Sequence, residues 1–518
     1  MNRQCLLVRS VAQGSSDPNL PDKIDQQRAG QAVGMVRLAV EESTMITGKD
    51  VISWGFKPGK WMGAALVELN RAAAQGADQD ALRAIVQAHL PPPVIELKPA
   101  DGASFSRMIE AETPDEERNV SQVVEAMTEL MRTPTLTGGA LMPDACPVGG
   151  KGTIPVGGVA AAQGAIHPGM HSADICCSVA ITIIGDAKPK RVLDAAQKIT
   201  HFGGGGRAVG QMMDLPVEIG QHFQGGNPFL KQLDDAARQH FGTQGDGNHF
   251  LYVGRIRSTG DVALVTHHGS RKPGAMLYKR GMSVAEGFRR HLSPETLKQN
   301  AWIPFDTQEG QDYWQALQVI RAWTKANHFV LHDAVLDAVG GKAQDRFWNE
   351  HNFVFQRGDT FLHGKGATPA WDGFAPDSNG LVLIPLNMAE PVLIAKGNDR
   401  REALGFCPHG AGRNFSRSED ARRNHGIKPE DRVARETQGL DIRFWAGKPD
   451  TGELPSAYKN ADGVVRQIRA FDLAEVVDYV DPYGCIMAGD WQTDFHRRRK
   501  AAKKARDQDR GKERRRRR

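Results

Sequence analysis

The stretch His167–Ile184, with the sequence HPGMHSADICCSVAITII, decides how the rest of the chain is interpreted. It places the carboxylate of Asp174 three positions before the thiol of Cys177 and continues into the apolar run Ser178–Ile184, which is typical of a strand. In a loop, both side chains can face one cation or a close pair of cations. On its own, this pair is weak evidence for a metal site, because an aspartate is also common in turns and a cysteine also behaves as a small buried hydrophobe. The adjacent Cys176 is expected to face the core.

Histidine motifs further along the chain strengthen this interpretation. His249 begins an apolar run after a glycine-rich turn, and either His267 or His268, at the end of another apolar run, is a candidate ligand. His351 precedes Asn352 directly after the segment Arg346–Glu350. Each motif by itself is more typical of a core or surface histidine. Together with the Asp-Cys pair, they predict a site for Mn, Fe, Co or Zn that only the fold can assemble, because every ligand lies in a different segment.

Several cations stand beside glycines, as in sites that bind phosphate. The run His409–Arg413 (HGAGR) combines an imidazole, which can attack a phosphorus centre, with Arg413 and the nearby Arg417, which can hold phosphate oxygens. Arg271 follows a His-His-Gly-Ser turn, and Lys365 lies between two glycines. Alone, the first motif would be interpreted as a solvent-facing turn.

The net charge of +5 is unevenly distributed along the 518 residues. His496–Arg518 holds 14 Lys and Arg against 3 Asp and Glu, a balance of 14 − 3 = +11, so the rest of the chain is near 5 − 11 = −6. Such a basic run is expected to be disordered and suits a polyanion such as RNA. The alternative is a tail that only aids solubility.

The cysteine pattern and hydropathy favour a cytoplasmic protein with no membrane partner. The six cysteines are too few and too scattered for a disulfide framework, which indicates a reducing compartment. The chain has no apolar stretch of about 18 residues and no apolar core of signal-peptide length at its beginning.

Helical and strand patterns alternate without a regular βαβ period, which favours an α+β fold with a central sheet. The glycine-rich segment 141–158 is expected to form loops. Helices are predicted at Lys60–Gln75, Gln79–Leu90, Val120–Met131 with Asn119 as its cap, Arg191–His201, Pro228–Phe241, Gln311–Val339 and Val464–Val480. Strands are predicted at Ser178–Ile184, His249–Val253, Val262–Thr266, Leu381–Pro385, Val392–Ala395, Leu440–Trp445 and Cys485–Met487.

The motifs together resemble the RtcB family of tRNA-splicing and RNA-repair ligases. In order, they are MPDACPVGGKG, DICC, GNHF, HHGSR, EHNF, HGKGATPA, HGAGRNFSR and PSAYK, and they occur between about Leu141 and Gly489. The resemblance implies one α+β catalytic domain with central sheets around a binuclear manganese centre. We expect this domain at 136–492, after a flexible segment at 1–44 and a helical appendage at 45–135, and before a disordered basic tail at 493–518.

The resemblance also implies an RNA ligase activity and its site. His409 would be guanylylated by GTP, pass the guanylyl group to an RNA 3′-phosphate and so allow joining to a 5′-hydroxyl; a 2′,3′-cyclic phosphate would first be hydrolysed at the same metals. The implied ligands of two Mn²⁺ ions are Asp174, Cys177 as the bridge, His249, His267 and His351. The implied nucleotide contacts are Asn248, Asn352, Pro385, Asn387, Met388, His409, Gly410, Ala411, Gly412 and Tyr458. The candidate contacts to RNA or phosphate are Arg271, Lys365, Arg413 and Arg417. An activating protein is a further possible partner.

Three positions depart from the family where it contacts the nucleotide. Tyr252 replaces a glutamate that reads the guanine edge, Val392 stands where the family has a nearby serine, and Ala488 replaces a lysine before Gly489. Removal of a hydrogen bond to a base edge lowers discrimination, so nucleotide choice is expected to be altered or relaxed from GTP. Two alternatives to ligation stay open: a manganese-dependent phosphodiesterase or phosphatase acting on RNA ends, and a non-catalytic protein that binds RNA ends.

Overall fold

The computed structural model of the protein describes residues 45–90, 93–100 and 104–492. The segment 1–44 and the tail 493–518, for which flexibility and disorder were expected, lie outside these residues. The chain divides into two compact units, Met1–Pro91 and Pro92–Arg518. No helix within the described ranges is both long enough and apolar enough to span a bilayer.

The first unit contains three described helices around a small apolar core. They are α1 (Gly48–Ser53), α2 (Met62–Ala74) and α3 (Gln79–His89). The helices predicted from periodicity at 60–75 and 79–90 are therefore confirmed as α2 and α3. Asp78 caps α3, because its side chain accepts a hydrogen bond from the amide of Ala81 at 2.8 Å.

The second unit contains the remaining nine helices of the described chain. They are α4 (Pro114–Leu130), α5 (Pro189–Ile199), α6 (Val217–Gln224), α7 (Asp234–His240), α8 (Arg271–Leu292), α9 (Gln308–Val339), α10 (Arg417–Arg423), α11 (Pro429–Glu436) and α12 (Ala461–Ala470). The prediction of a long helix ending at Gly340 is confirmed by α9, whose C-cap glycine has φ of 65°. α9 packs on α5 and on the strand that follows the Asp-Cys pair.

Two expectations about helices are wrong. The helix expected to begin after Asn119 begins at Pro114, and its cap is Thr113. The amide of Asn119 instead donates hydrogen bonds to the carbonyls of Arg413 and Asn414, at 3.2 and 3.0 Å. This helix, α4, lies in the second unit and not with the helices before Pro91. The 22-residue α8 was not predicted; its single proline, Pro273, lies in the first turn, where the helix needs no amide donor.

Seventeen strands are found among the described residues. They are β1 (Ser106–Arg107), β2 (Leu136–Cys146), β3 (Val156–Gln163), β4 (Ala165–Ile166), β5 (Ser178–Gly185), β6 (Phe250–Ile256), β7 (Val262–His268), β8 (Ile303–Pro304), β9 (Asp345–Glu350), β10 (Asn352–Arg357), β11 (Thr360–Lys365), β12 (Ala367–Pro369), β13 (Leu381–Pro385), β14 (Val392–Gly397), β15 (Phe406–Pro408), β16 (Asp441–Phe444) and β17 (Ala474–Met487). The mixture of helices and sheets confirms the α+β class.

The strands form two large sheets. The eight-stranded sheet has the order β13-β14-β17-β6-β7-β5-β9, with β16 paired to β17, and the five-stranded sheet has the order β1-β2-β3-β11-β10. Two small sheets pair β4 with β8 and β12 with β15. Most pairs are antiparallel, but β1 with β2 and β16 with β17 are parallel.

Three further expectations about loops and helices are corrected by the structure. The glycine-rich segment 141–158 is not all loop, because β2 runs to Cys146 and β3 begins at Val156. The helix expected at 228–241 begins only at Asp234. The helix expected at 464–480 is wrong beyond Ala470, because a turn with Asp472 at φ of 54° leads into β17. That strand pairs with β14 and β6, and this non-local pairing overrides the local pattern.

Candidate active site

The candidate metal ligands come together at one edge of the central sheet, where β5 and β6 begin and their neighbours β7 and β9 finish. In the register of the central sheet, His267 lies opposite Val179 on one side and Phe250 on the other. Ser178 lies opposite Glu350 on the next strand. Cys177 and His249, each just before its strand, and His351, just after its own, are therefore carried to one end of β5, β6 and β9.

The ligand atoms converge on the sulfur of Cys177. Its Sγ lies 3.2 Å from Nε2 of His267 and 3.6 Å from Nε2 of His249. His249 Nε2 is 3.0 Å from Oδ2 of Asp174, and His267 Nε2 is 3.2 Å from Nε2 of His351. Two groups have ligand atoms within 4.8 Å of one another: Asp174 with Cys177 and His249, and Cys177 with His267 and His351. Since Cys177 belongs to both, the arrangement suits two cations that share one sulfur.

The hydrogen bonds of two of the histidines, His249 and His267, leave their Nε2 atoms free for metal. His249 Nδ1 donates to the carbonyl of Gln244 at 2.6 Å, and His267 Nδ1 donates to the carbonyl of Asn248 at 3.1 Å. Because a carbonyl only accepts, the proton lies on Nδ1 and the lone pair of Nε2 faces the cluster. Burial, with help from neighbouring imidazoles, lowers the pKa of His267 to about 3, so its ring is neutral, as a metal ligand requires.

The thiol and carboxylate complete a donor set that fits a divalent metal. Burial, followed by the charge of Asp174, raises the pKa of Cys177 well above its ordinary value. Although burial raises the pKa of Asp174, the adjacent His249 lowers it overall. Bringing a carboxylate, a thiol and imidazole lone pairs this close is favourable only when positive charge lies between them. The residues present therefore fit a metal centre with mixed oxygen, nitrogen and sulfur ligands.

The structure separates neighbouring residues that the sequence left open. His267 points at Cys177, whereas His268 stacks on His328 with ring centroids 3.5 Å apart, away from the thiol. Cys176 is fully buried in the main core, as expected, and has φ of 58°, a left-handed conformation that turns successive thiols to different sides.

His409 stands beside this cluster and is held by a buried carboxylate. Its ring centroid is 4.8 Å from that of His351. Its Nδ1 lies 2.5 Å from Oδ2 of Asp144, which also accepts from the His409 amide at 3.2 Å. Asp144 is completely buried, and Gly412, at φ of 72°, keeps its backbone clear, because a Cβ there would lie 2.0 Å from the Asp144 carbonyl oxygen. With Nδ1 occupied, Nε2 is the nitrogen available for attack.

A cavity of about 1000 Å³, here called the His409 cavity, contains most of the expected nucleotide contacts. Those lining it are Asn248, Pro385, Asn387, Met388, His409, Gly410, Ala411, Gly412 and Tyr458, and the candidate phosphate contacts Arg413 and Arg417 line it as well. Asn352 is not among the residues that line it; its side-chain oxygen accepts from the Gly366 amide at 2.7 Å. Lys365 is not among the lining residues either; it is buried, with Nζ donating to the Ile154 carbonyl at 2.9 Å.

One wall of the His409 cavity is organised by Glu453. This buried carboxylate accepts from Arg417 Nε at 2.8 Å and from the hydroxyl of Tyr458 at 2.5 Å. Arg413 Nη1 lies 3.4 Å from the same carboxylate, and its guanidinium lies 5.4 Å from the centre of the Tyr458 ring. Glu453 thus holds two arginines and a tyrosine in place. Its negative charge also offsets part of the positive charge that the two arginines present to a phosphate.

Another part of the cavity, here called the apolar floor, consists of Phe250, Tyr252, Val392, Cys485 and Met487. The sheet brings these side chains together, because Tyr252 pairs with Cys485 and Phe250 with Met487 across adjacent strands. The Tyr252 hydroxyl donates to the Val480 carbonyl at 2.9 Å, so it is committed to the backbone. Two of the three departures from the family pattern, Tyr252 and Val392, therefore lie on this floor.

The sequence did not single out Asp144 or Glu453. Asp144 lies in the quoted MPDACPVGGKG segment, but it is 265 residues from His409, and only the fold brings the two together. Glu453 lies shortly before the PSAYK segment and carries no local pattern of its own. Its importance follows from burial beside two arginines, which a sequence does not display.

Comparison with known proteins gives the same family both from a family model and from individual relatives. The family model described as "tRNA-splicing ligase RtcB" matches residues 217–488, more than half of the chain. A protein of Thermococcus kodakarensis named tRNA-splicing ligase RtcB is 26% identical over 410 residues, 64% of this chain and 84% of the relative. The RNA-splicing ligase RtcB of Mycobacterium tuberculosis is 26% identical over 410 residues, 64% of this chain and 93% of that protein. The tRNA-splicing ligase RtcB of Pyrococcus horikoshii is 26% identical over 318 residues, 52% of this chain but only 36% of the relative's length.

Proposed function

Because this chain belongs to the RtcB family, we propose that it is an RNA ligase that joins 3′-phosphate or 2′,3′-cyclic phosphate ends to 5′-hydroxyl ends. The observation that carries the proposal is the position of His409, whose ring lies 4.8 Å from that of His351, a member of the cluster around Cys177. A nucleophile for phosphorus and a site for cations that polarise phosphate are thus adjacent. The reaction proceeds through a nucleotidylated His409, in tRNA splicing or RNA repair.

In the first step, Nε2 of His409 attacks the α-phosphorus of a nucleoside triphosphate. An N–P bond forms, the bond to the bridging oxygen breaks, and pyrophosphate leaves. The imidazole gains positive charge, which Asp144 stabilises through the hydrogen bond to Nδ1. Arg413 and Arg417 line the same cavity and bind phosphate oxygens.

In the later steps, an oxygen of the RNA 3′-phosphate attacks the phosphorus on His409, which frees the imidazole. The 5′-hydroxyl of the second RNA end then attacks the activated 3′-phosphorus, and nucleoside monophosphate leaves. We propose that Asp174, Cys177, His249, His267 and His351 hold two Mn²⁺ ions, with Cys177 shared. When bound, such ions polarise phosphate oxygens and stabilise in-line displacement.

We propose further that the nucleotide is not restricted to GTP. Guanine is read through donors on its edge, and a site selective for them needs acceptors placed opposite. Where the family resemblance places a glutamate that reads the guanine edge, this chain has Tyr252, whose hydroxyl is directed to the backbone. Incubation with Mn²⁺ and each labelled nucleoside triphosphate tests this, and strong covalent labelling by GTP alone would contradict it.

A second function is supported by the retention of the candidate metal ligands where floor positions have changed. Asp174, Cys177, His249, His267 and His351 are all in place, whereas two floor positions depart from the family pattern. A manganese-dependent phosphodiesterase or phosphatase on RNA ends would need only the cluster. A cytoplasmic location and an activating protein partner stay predictions from the sequence.

His409→Ala separates the two functions. For the ligase, wild type acquires a nucleotide label, and the variant loses labelling and ligation but still hydrolyses a 2′,3′-cyclic phosphate. His425→Ala is the matched control, because His425 is an exposed histidine just after α10 that is not among the residues lining the His409 cavity. A wild-type protein that opens cyclic phosphates but carries no label would instead support the phosphodiesterase.

A further inference from the structure

A buried lysine stands behind the carboxylate that holds His409. Lys459 is only 5% exposed, and its Nζ donates to the carbonyls of Ala145 at 2.7 Å and Pro143 at 3.2 Å. These two residues flank Asp144 in the chain. Lys459 belongs to the PSAYK segment, but it takes no part in the proposed nucleotidylation steps.

The carboxylate of Asp144 is fully buried and only partly satisfied. Its Oδ2 lies against Nδ1 of His409, whereas Oδ1 has no hydrogen-bond partner among the described residues. Oδ1 instead faces the backbone at Gly157, where a Cβ would lie 2.9 Å from it. A negative charge buried in this way needs a nearby cation, because burial without compensation is costly.

His409 does not supply that cation in the state that reacts. An imidazole that attacks phosphorus has to be neutral, because a protonated ring has no lone pair to give. The guanidinium of Arg413 is already paired with Glu453 at 3.4 Å and donates to two backbone carbonyls. The ammonium of Lys459, by contrast, is bonded to the backbone on both sides of Asp144.

Three acidic groups surround the ammonium of Lys459. Burial lowers the pKa of Lys459, whereas the charges of Cys146, Asp144 and Glu116 raise that pKa again. Burial also raises the pKa of the Cys146 thiol, so this residue stays uncharged. Glu116 lies in the first turn of α4, whose amides offset its charge, and its Oε2 accepts from the Glu112 amide at 2.8 Å. Asp144 therefore depends more on Lys459 than Glu116 does.

We propose that Lys459 is a positioning residue for the nucleophile, whose ammonium keeps Asp144 ionised and in place behind His409. An ionised carboxylate can only accept, so the ring proton stays on Nδ1 and the lone pair on Nε2. Without the ammonium, Asp144 takes up a proton and donates it to Nδ1; the ring proton then lies on Nε2 and blocks attack. The proposal rests on the proposed function, because it takes His409 as the residue that is nucleotidylated.

Lys459→Met tests this role, because methionine has a similar length but no charge. The maximal rate of His409 labelling is expected to fall about 10- to 100-fold, while the nucleotide concentration at half-maximal rate changes less than about 3-fold. Lys98→Met is the matched control and should label at the wild-type rate. Lys98 is a half-buried lysine whose Nζ donates to the carbonyl of Leu136, at the other end of the same strand, β2.

A double variant separates action through Asp144 from a general loss of structure. Adding Lys459→Met to Asp144→Asn should slow labelling by no more than about 2-fold beyond Asp144→Asn alone, because the charge that Lys459 balances is already gone. A merely structural lysine would make the two losses multiply. Lys459→Gln covers the case in which Lys459→Met does not fold; its amide still donates to carbonyls without a charge, and it should also label slowly.

The tautomer of His409 gives a readout that needs no nucleotide. In protein with isotope-labelled histidine, nuclear magnetic resonance should place the ring proton on Nδ1 in wild type and on Nε2 in Lys459→Met. The signal is assigned by its loss in His409→Ala. A wild-type protein that is never nucleotidylated would contradict the proposed function, and the tautomer would still decide whether Lys459 acts on Asp144.

Three results would overturn the inference. They are wild-type labelling rates in both Lys459→Met and Lys459→Gln, losses that multiply in the double variant, and a ring proton that stays on Nδ1 in Lys459→Met. A slow Lys459→Met with no further loss in the Asp144→Asn background, together with the changed tautomer, would support it.

Discussion

The two ring nitrogens of His409 have different environments, and this difference sets its chemistry. Nδ1 is held by the buried carboxylate of Asp144 at 2.5 Å, which leaves Nε2 for the proposed attack on phosphorus. A carboxylate in this position fixes the tautomer and stabilises the positive charge that develops on the ring. Replacing it by an amide keeps the size of the side chain but removes that charge.

Asp144→Asn is therefore expected to slow nucleotidylation of His409 by about 10²- to 10⁴-fold. Nucleotide affinity and metal content should change little, because Asp144 is not among the cluster ligands. The rate is measured by single-turnover labelling, and metal content by mass spectrometry. Asp399→Asn serves as control, since Asp399 is an exposed carboxylate paired with Arg357. An unchanged labelling rate would show that Asp144 does not position the nucleophile.

The adjacent cysteines give a second residue-scale prediction. Cys177 belongs to both ligand groups, whereas Cys176 is buried in the core. Cys177→Ala should abolish binding of both metal ions, and Cys176→Ala should retain them with only a modest loss of stability. Metal stoichiometry after dialysis against Mn²⁺ distinguishes the two. Full occupancy in Cys177→Ala would rule out a shared sulfur.

At the scale of single elements, α9 supports the sheet from which the cluster is built. Trp323, in the middle of α9, is completely buried, and its Nε1 donates to the Ala237 carbonyl at 3.2 Å. Trp323→Ala is expected to lower the free energy of unfolding by about 3–5 kcal/mol, because it leaves a cavity and an unpaired carbonyl. Denaturant titration measures this, with the more exposed Trp445→Ala as control. A loss below about 1 kcal/mol would mean that the core around α9 is not tightly packed.

The elements that the sequence predicted well are those with local signals. The helix α9 has a continuous apolar period and a terminal glycine, and β13 and β14 are short apolar runs between turns. The first part of β17, up to Val480, was taken for a helix because its partners β6 and β14 are far away in sequence, whereas its end, Cys485–Met487, was correctly predicted as a strand. For the same reason the motifs predicted a convergent site, but Asp144 and Glu453 became visible only after folding.

At the scale of the whole molecule, the candidate metal centre joins segments from residue 174 to residue 351. Ions bound there hold these segments together only in the folded state and should therefore stabilise it. With Mn²⁺ at about 100 times its dissociation constant, the gain is about 2.7 kcal/mol. The melting temperature should rise with Mn²⁺ and fall with chelator, and Cys177→Ala should respond to neither. A melting temperature that ignores Mn²⁺ in wild type would contradict a metal centre built this way.

Peptide mass spectrometry tests most directly whether His409 attacks a nucleoside triphosphate beside the Cys177 cluster. The protein is incubated with Mn²⁺ and mixed nucleoside triphosphates and then digested under alkaline conditions, which preserve an N–P bond. The expected result is a peptide containing His409 that is heavier by one nucleoside monophosphate, from more than one base. An unmodified His409 peptide, or an adduct only on another residue, would contradict the claim.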